Sequence, residues 1–325
     1  MSKSTSESFI TKFTQRLRNL SNRQMVYILA VLGAAVVVLI GVFAVIYYRD
    51  RYVAPVAPNL STEEERLAHI EEMIRKDPSN IDLRLSVAQS YFTMQRYPDA
   101  IAQADEVLKI QADNKTALVL RGLSANESGK SEAALADFQK VIALSKDSPT
   151  AKMDDNLELA YYYAGLLYNR AQRYTDAQTV LKSALEINLG DADAWLELGR
   201  AYEGANQHQE AIDAYKQVVR FVPDYAEAYQ GMETSYRASN QAGLADYAKG
   251  MAFFGNHDYP QAATTLETLI EKQPDVLDAY LGLGLVYEQL GARDKAIQAL
   301  EHYTAARPDD IAAQQALARI RRSGQ

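Results

Sequence analysis

Histidine is the first side chain to consider for metal or acid–base chemistry, and the sequence holds four: His69, His208, His257 and His302. A helical zinc site places two histidines at i and i+4, but no two of these have that spacing and no HExxH motif occurs. We therefore expect histidines that are solvated or that pack against neighbours. The chain also lacks cysteine, which removes thiol catalysis, disulfides and cysteine-ligated zinc.

Other patterns of chemical interest are equally weak. Leu281–Gly284 reads as a fragment of a dinucleotide fingerprint, but it falls inside a predicted helix instead of following a strand. The acidic runs at Glu63–Glu65 and Asp154–Asp155 are typical of helix starts or loops and not of paired catalytic carboxylates. No phosphate-binding loop or GxSxG motif is present. The sequence therefore predicts a protein that is not an enzyme and has neither cofactor nor metal.

The charge distribution argues against nucleic acid as a partner. The 325 residues carry 42 acidic and 34 basic side chains, for a net charge of −8. Residues 1–24 are the exception, because they hold five basic residues and one acidic residue. Binding to a phosphate backbone needs concentrated lysine and arginine, which the acidic body of the chain does not offer.

One segment is apolar enough to cross a membrane. Met25–Tyr48 is 24 residues long without a charge, and Tyr27, Tyr47 and Tyr48 stand near its ends, where interfacial aromatic residues belong. As a helix it is about 36 Å long, enough for a hydrocarbon core of about 30 Å. We expect a single transmembrane helix in contact with membrane lipid, because the run is too long for a typical cleaved signal peptide.

The flanks of this segment predict its orientation. The basic segment 1–24 is expected in the cytoplasm by the positive-inside rule, which sends the C-terminal part to the extracytoplasmic side of the cell membrane. Arg49 and Arg51 oppose this orientation, so a solenoid facing the cytoplasm stays an alternative. Residues 49–60 form a short linker with two prolines, and a capping box at Ser61–Glu64 then opens a helix.

The rest of the chain repeats every 34 residues. The clearest unit, residues 192–225, has an aromatic, a leucine, a glycine and a tyrosine on one helix, an alanine and a tyrosine on the next, and then a proline. The landmarks are Trp195, Leu198, Gly199, Tyr202, Ala211, Tyr215 and Pro223. This pattern resembles the tetratricopeptide repeat (TPR) family. The small Gly199 and Ala211 permit two antiparallel helices to cross closely, and Pro223 prevents extension of the second helix.

Each helix pair leaves an apolar face that only the next pair can cover, so the repeats predict a stacked α-solenoid. We expect an all-α fold of about six helix pairs plus a half repeat and capping helices, preceded by one transmembrane helix. The solenoid spans residues 61–325. Its predicted parts are the cap 61–78, the repeats 81–114, 115–148, 158–191 and 192–225, the half repeat 226–242, the repeats 243–276 and 277–310, and the cap 311–325.

Two intervals depart from the 34-residue spacing. Nine residues are inserted between Gly122 and Gly165, and Gly199 and Gly250 lie 51 residues apart, which is one and a half repeats. Glu233 stands where the extra half repeat would have a glycine. The sequence leaves two interpretations open for residues 226–258. Either the helix at 243–255 serves two repeats, or the solenoid changes direction there.

The resemblance also implies where a partner binds. In the TPR family the first helix of each pair lines a concave groove, which binds a peptide or a helix of another protein. Carried over to this chain, the groove residues are Tyr162, Leu166, Arg170, Leu196, Arg200, Tyr247, Met251, Phe254, Leu281 and Leu285. The competing interpretation is that the leucines only pack against neighbouring helices.

Taken together, these features predict a membrane-anchored scaffold, adaptor or chaperone-like assembly factor that binds partner polypeptides through its groove. A structural subunit of a stable membrane complex is the alternative from another class. The sequence leaves open the identity of the partner and the oligomeric state.

Overall fold

The computed structural model of the protein describes residues 62–322. The described residues from Leu67 onward belong to one compact unit. The predicted basic segment 1–24, transmembrane helix Met25–Tyr48 and linker 49–60 lie outside the described residues. Within residues 62–322, no helix combines the length and the apolar character that crossing a bilayer requires.

The described residues form fifteen α-helices and one short 3-10 helix, with no strand among them. The predicted all-α solenoid is therefore confirmed over this part of the chain. The helices are α1 (Glu63–Lys76), α2 (Ile81–Thr93), α3 (Tyr97–Ile110), α4 (Lys115–Glu127), α5 (Ser131–Ser145), α6 (Asp155–Arg170), α7 (Tyr174–Ile187), α8 (Ala192–Gly204), α9 (His208–Phe221), α10 (Ala226–Ala238), α11 (Ala242–Gly255), α12 (Tyr259–Lys272), α13 (Leu277–Gln289), α14 (Arg293–Ala306) and α15 (Ile311–Arg322).

Two kinds of turn alternate along most of the chain. The turn from the first to the second helix of a pair contains one residue in the left-handed region; these residues are Gln95, Gly129, Gln172, Asn206, Asn240, His257 and Gly291. The other kind of turn leads to the next pair. There, Asn80, Asn114 and Asp191 cap the N-termini of α2, α4 and α8 through their side-chain oxygens.

Glycine on the first helix allows the two helices of a pair to cross closely. A Cβ atom on Gly199 would lie 2.4 Å from Cε1 of Tyr215, a residue 16 positions later on the second helix. The same contact at the same interval recurs in four other pairs: Gly122 with Phe138, Gly165 with Leu181, Gly250 with Leu266, and Gly284 with Leu300. The second-helix partners are fully buried, so each crossing forms the centre of a small apolar core.

Helix α11 belongs to two pairs, which resolves the open interpretation of residues 226–258. It packs against α10 through the turn at Asn240 and against α12 through the turn at His257. These left-handed residues are 17 positions apart, half of one repeat. Elsewhere each first helix contacts the first helix of the next pair, as α8 contacts α10. After the half repeat, α11 instead of α10 contacts the first helix of the next pair, α13.

The ends of α11 lie very close to neighbouring segments. A Cβ atom on Gly255 would be 2.5 Å from the carbonyl oxygen of Asp224, in the turn before α10. A Cβ atom on Gly243 would be 2.2 Å from Oε1 of Gln273, in the turn before α13. The absence of side chains at these two positions lets one helix fit between two pairs.

The nine-residue insertion is closed by polar contacts. It contains the 3-10 helix Ala151–Met153 and ends at Asp154, whose carboxylate caps α6 and pairs with Lys115. Ser145 Oγ donates to the same carboxylate at 2.9 Å. Burial opposes ionisation, but these contacts together hold the pKa of Asp154 below its usual value. The insertion is thereby tied to α4, α5 and α6.

Candidate partner-binding groove

A pocket of about 680 Å³ lies across α6, α8 and α10, the first helices of three successive pairs. Its walls are largely polar, with side chains of both charges. The lining residues are Leu166, Asn169, Arg170, Tyr174, Glu197, Arg200, Glu203, Gly204, Tyr215, Glu227, Gln230, Gly231 and Thr234. We call this pocket the inner groove. It is large enough for several side chains of a peptide.

A buried carboxylate fixes the centre of the inner groove. The side chain of Glu197 is only 5% exposed, and its Oε1 lies 2.6 Å from Nη1 of Arg200. Asn169 Nδ2 donates to both Oε2 and the backbone carbonyl of Glu197, at 2.9 and 2.8 Å. Because a buried carboxylate requires such partners, these contacts neutralise it and hold the Arg200 side chain in place.

Arg170 is the more available cation. Its Nη1 donates to Oδ1 of Asn126 at 3.0 Å, and within residues 62–322 it forms no ion pair. Nearby, Oδ1 of Asn169 is buried without a hydrogen-bond partner. Arg170 is thus the group on α6 that is available to a ligand, so among the described residues this side of the groove can donate to a ligand carboxylate or carbonyl.

Aromatic side chains lie further along α6, outside the lining of the inner groove. Tyr162 meets Tyr163 edge to face at 5.0 Å between ring centroids, and Tyr163 stacks on Phe138 at 5.5 Å. Burial, followed by the charges of Asp193 and Glu197, raises the pKa of Tyr162. The phenol therefore stays neutral at physiological pH, so that it can donate a hydrogen bond.

The structure brings together three of the predicted groove residues. Leu166, Arg170 and Arg200 line the inner groove, and Tyr162 is on the same helix as Leu166. Leu196 is different, because it is only 5% exposed and belongs to the apolar core. Leu196 was predicted as a contact residue because the family pattern places this position on the groove side of its helix. In this chain α8 turns that position toward its neighbours, which leaves it little surface for a ligand.

The remaining predicted residues lie on α11 and α13, apart from the inner groove. Met251 is 2% exposed and therefore part of the core, which again contradicts an exposed role. The reason is local: a Cβ atom on Gly282 of α13 would lie 2.7 Å from its sulfur. The other four are half-buried, and the first three of them pack against the same core; these residues are Tyr247, Phe254, Leu281 and Leu285.

The prediction from sequence missed the contribution of α10. Gln230, Gly231 and Thr234 line the groove. The 34-residue interval leads from Leu196 to Gln230 and from Arg200 to Thr234, so a signal for these positions is present in the sequence. The interpretation of residues 226–242 as an incomplete repeat concealed it.

Metal ligands are not clustered in this region or elsewhere in residues 62–322, where no group of three or more His, Asp and Glu side chains could hold an ion. The four histidines lie far apart in sequence, and one, His302, stacks on Tyr280 at 3.9 Å between ring centroids.

Comparison with known families agrees with the helical pattern. Tetratricopeptide repeat profiles match residues 87–149, 168–235 and 247–311, well over half of the chain. The chain belongs to the tetratricopeptide repeat family, and the predicted resemblance is confirmed. Membership of this family makes it a protein-interaction scaffold and not an enzyme.

The relatives that it matches are distant. Anaphase-promoting complex subunit 3 of Schizosaccharomyces pombe is 22% identical over 172 residues, covering 48% of this chain and 25% of the relative. The peroxisomal targeting signal receptor of Candida albicans is 23% identical, covering 51% of this chain and 33% of the relative. The chain thus spans a quarter to a third of these proteins.

Solved structures show likeness in fold alone. A crystal structure of MamA protein has 22% identity and a TM-score of 0.49, covering 56% of this chain and 94% of MamA. A tetratricopeptide repeat protein from Parabacteroides merdae has 16% identity and a TM-score of 0.47, covering 79% of this chain and 92% of that protein.

Proposed function

We propose that this protein is a membrane-tethered scaffold that binds a segment of a partner protein in the inner groove. The observation that carries the proposal is the pocket shared by three first helices, where Arg170 has no ionic partner among residues 62–322 and Arg200 is held by Glu197. Such a surface suits an extended or helical segment that carries hydrogen-bonding groups and at least one carboxylate.

The tether is the second part of the proposal. Met25–Tyr48 supplies a hydrophobic run of transmembrane length, and the basic residues before it favour a cytoplasmic N-terminus with the repeats on the extracytoplasmic side. Attachment to a membrane raises the effective concentration of the groove near membrane partners, so a modest affinity suffices. The chain then works as an adaptor or assembly factor.

Site-specific cross-linking tests binding in the groove. A photoreactive residue is placed at Leu166 or Gln230, which both line the inner groove on first helices, in the full-length chain in native membranes. Thr264, on the second helix α12, is the control position. We expect one partner to be captured from both groove positions and not from Thr264. Capture from Thr264 alone would contradict the assignment of the inner groove.

A charge reversal sharpens the same test. Arg170→Glu should abolish most of the cross-linking from Gln230, because it replaces the available cation with a carboxylate that repels the ligand carboxylate. Arg220→Glu is the matched control, since Arg220 is an exposed arginine on α9 outside the pocket. Equal capture in both variants would show that Arg170 takes no part, provided that circular dichroism shows both to be folded.

Protease protection in intact cells tests the topology. Digestion of the repeats by added protease is the expected result, and full protection would contradict the extracytoplasmic placement. Purification in mild detergent separates an adaptor from a fixed subunit. Variable, substoichiometric partners support the adaptor, whereas a constant ratio to integral membrane proteins would make the chain a structural subunit.

A further inference from the structure

A second recess lies on the other side of the helix pairs, between α7, α8 and α9. It has a volume of about 700 Å³ and an apolar floor formed by Leu185, Trp195, Leu198, Tyr202 and Ala214. We call it the outer cleft. Trp195 Nε1 donates to the carbonyl of Leu189 at 2.9 Å, which fixes the indole in the wall. None of its lining residues belongs to the inner groove.

The repeats provide the same position several times, so the outer cleft can be compared with its equivalents. In the cleft of α3, α4 and α5, Arg121 replaces Leu198 and fills the space with ion pairs of 2.6 Å to Asp105 and to Asp137. In the cleft of α12, α13 and α14, Tyr280 replaces Trp195 and stacks on His302. The first of these clefts is therefore filled by the chain's own side chains, whereas the second is open, with a volume of about 510 Å³.

The equivalent cleft one repeat after the outer cleft is covered by a helix. The lining positions of the two clefts correspond at an interval of 34 residues. In the later cleft, Tyr229 replaces Trp195, Tyr236 replaces Tyr202, Tyr247 replaces Asp213 and Met251 replaces Gln217. Helix α13 lies over them, because a Cβ atom on its Gly282 would be 2.7 Å from Met251 Sδ and 3.4 Å from Tyr247 Cε2. Asp278, one turn before Gly282, is close enough to add to the effect of burial in raising the pKa of Tyr236.

The rim of the outer cleft differs from the covered one in charge. Glu210, Asp213 and Gln217 stand where the covered cleft has Leu244, Tyr247 and Met251. Glu186 adds a third carboxylate, against the single cation Lys182, whose Nζ lies 5.3 Å from the ring centroid of Tyr202. A helix bound in the outer cleft in the way that α13 covers the next cleft would have carboxylates beside its first turn. Lysine or arginine in that turn would complement their charge.

We propose that the outer cleft binds a basic amphipathic helix of a partner protein, with a small residue facing Gln217 as Gly282 of α13 faces Met251. The apolar floor buries the hydrophobic face of this helix, and the acidic rim selects its charge. This surface is separate from the inner groove, so the scaffold holds two protein segments at once.

Trp195 is the only tryptophan of the chain, so its fluorescence reports occupancy of the cleft directly. The probe is a stapled helical peptide with the sequence of α13, Leu277–Gln289, in which lysine replaces Asp278. The peptide contains no tryptophan. Added to the full-length chain in mild detergent, it should shift the Trp195 emission to shorter wavelength in a saturable manner, and the peptide that retains Asp278 should bind more weakly.

Asp213→Lys tests the acidic rim, because Asp213 is exposed and its replacement leaves the core intact. We expect about fivefold weaker binding of the lysine peptide, the order of magnitude for one surface ion pair. Gln298→Lys is the matched control, since Gln298 holds the corresponding exposed position on α14 and should leave binding unchanged. Arg170→Glu, which disables the inner groove, should also leave it unchanged.

Three results would overturn the proposal. The first is no saturable change of Trp195 emission, and the second is equal affinity of both peptides for the unaltered chain and for Asp213→Lys. The third is an emission shift that appears on raising the protein concentration alone, together with dimerisation in sedimentation experiments. That result would assign the cleft to a second copy of this chain.

Discussion

Tyr215 shows how one side chain serves both the fold and the groove. Its ring is fully buried between Gly199 of α8 and Gly231 of α10, and its hydroxyl donates to Glu203 at 2.8 Å. Burial, reinforced by Glu203, raises the pKa of Tyr215, so the phenol stays protonated. The same ring lines the inner groove, and the spacing of two helix pairs therefore depends on one tyrosine.

Replacing Gly231 with alanine tests this dependence. The new Cβ would lie 2.3 Å from Cζ of Tyr215, whose ring has no room to move. Overpacking costs ~1–3 kcal/mol, and the better helix propensity of alanine returns up to ~1 kcal/mol. We expect Gly231→Ala to lower the free energy of unfolding by about 1–2 kcal/mol, measured by urea denaturation followed by circular dichroism.

Gly190→Ala is the control for this measurement, because the nearest atom to its Cβ is Asn188 Oδ1 at 3.5 Å, an ordinary contact. Adding Tyr215→Leu to Gly231→Ala should recover part of the loss, since the shorter side chain leaves space. A stability unchanged by Gly231→Ala would mean that α8 and α10 move apart freely and that Tyr215 does not set their spacing.

At this scale the sequence predicts contacts inside a repeat better than contacts between repeats. The 34-residue signature identified Gly199 and Ala211 as the small residues of a close helix crossing, and it placed the ring of Tyr215 four positions after Ala211. It carried no indication that Gly231 touches the same ring, because that contact depends on the angle between successive pairs. Leu196 and Met251 were assigned to the groove for the same reason: a helix face can be read from periodicity, but how much of it a neighbour covers cannot.

The shared helix α11 is the main departure from regular repeats at the scale of elements. Its Ala245 and Ala248 are buried in the core, and its Gly250 lies opposite Leu266 of α12. Glu233 of α10 occupies the position at which other pairs have the crossing glycine. Helix α10 therefore suits α11 as its partner and is not shaped to receive Leu266 of α12.

Deleting residues 241–257 would remove this irregularity. The deletion joins Asn240 to Asp258 and keeps one left-handed residue in the turn, so α10 and α12 become an ordinary pair. Leu266 would then face Glu233, 16 residues earlier in the shortened chain. We expect a folded, helical protein with a lower melting temperature, because an apolar side chain would be pressed against a carboxylate.

Glu233→Gly in the deletion variant should restore the lost stability by recreating the crossing glycine. In the full-length chain the same substitution should destabilise, since Glu233 pairs there with Arg237 at 3.0 Å and glycine weakens the helix. Rescue in the shortened chain and loss in the intact chain, both measured by thermal denaturation, are the expected pair of results. No rescue would contradict the role assigned to Glu233.

The sequence predicted the existence and type of these helices but not the path through 226–258. The recurrence of glycine, alanine, tyrosine and proline at fixed intervals made the 34-residue units visible. The 51-residue interval between Gly199 and Gly250 was also visible, yet two arrangements fitted it. Only the tertiary contacts of Gly243 and Gly255 with the turns before α13 and α10 select one of them.

Tyrosine dominates the chemistry of the molecule as a whole, with 21 residues in the chain. Burial raises the pKa of Tyr91, Tyr229, Tyr236 and Tyr303 to about 12, distributed from α2 to α14. For Tyr91 and Tyr303, hydrogen bonds to Glu71 and Asp310 add to this effect. An unfolded tyrosine ionises near pH 10, so the neutral buried phenols stabilise the fold below that pH.

The sign of this linkage predicts alkaline unfolding. A folded-state pKa above the unfolded value gives stability that is complete below pH 10 and is lost as the pH rises toward 12. We expect the melting temperature to be nearly constant between pH 7 and 9 and to fall steeply above pH 10. Absorbance at 295 nm should show the buried phenols ionising together with the loss of helical circular dichroism. Ionisation of all the tyrosines near pH 10 with intact helices would contradict the burial of these four.

The series of first helices that contact one another passes from α10 to α11, and this change limits the length of any ligand. An extended polypeptide that follows α6, α8 and α10 does not find its track continued on α13, because that track restarts on α11, half a repeat out of phase. A solenoid with unbroken repeats could bind one long extended segment along a continuous series of first helices. We therefore expect this protein to bind short epitopes, each confined to one side of the junction between α10 and α11.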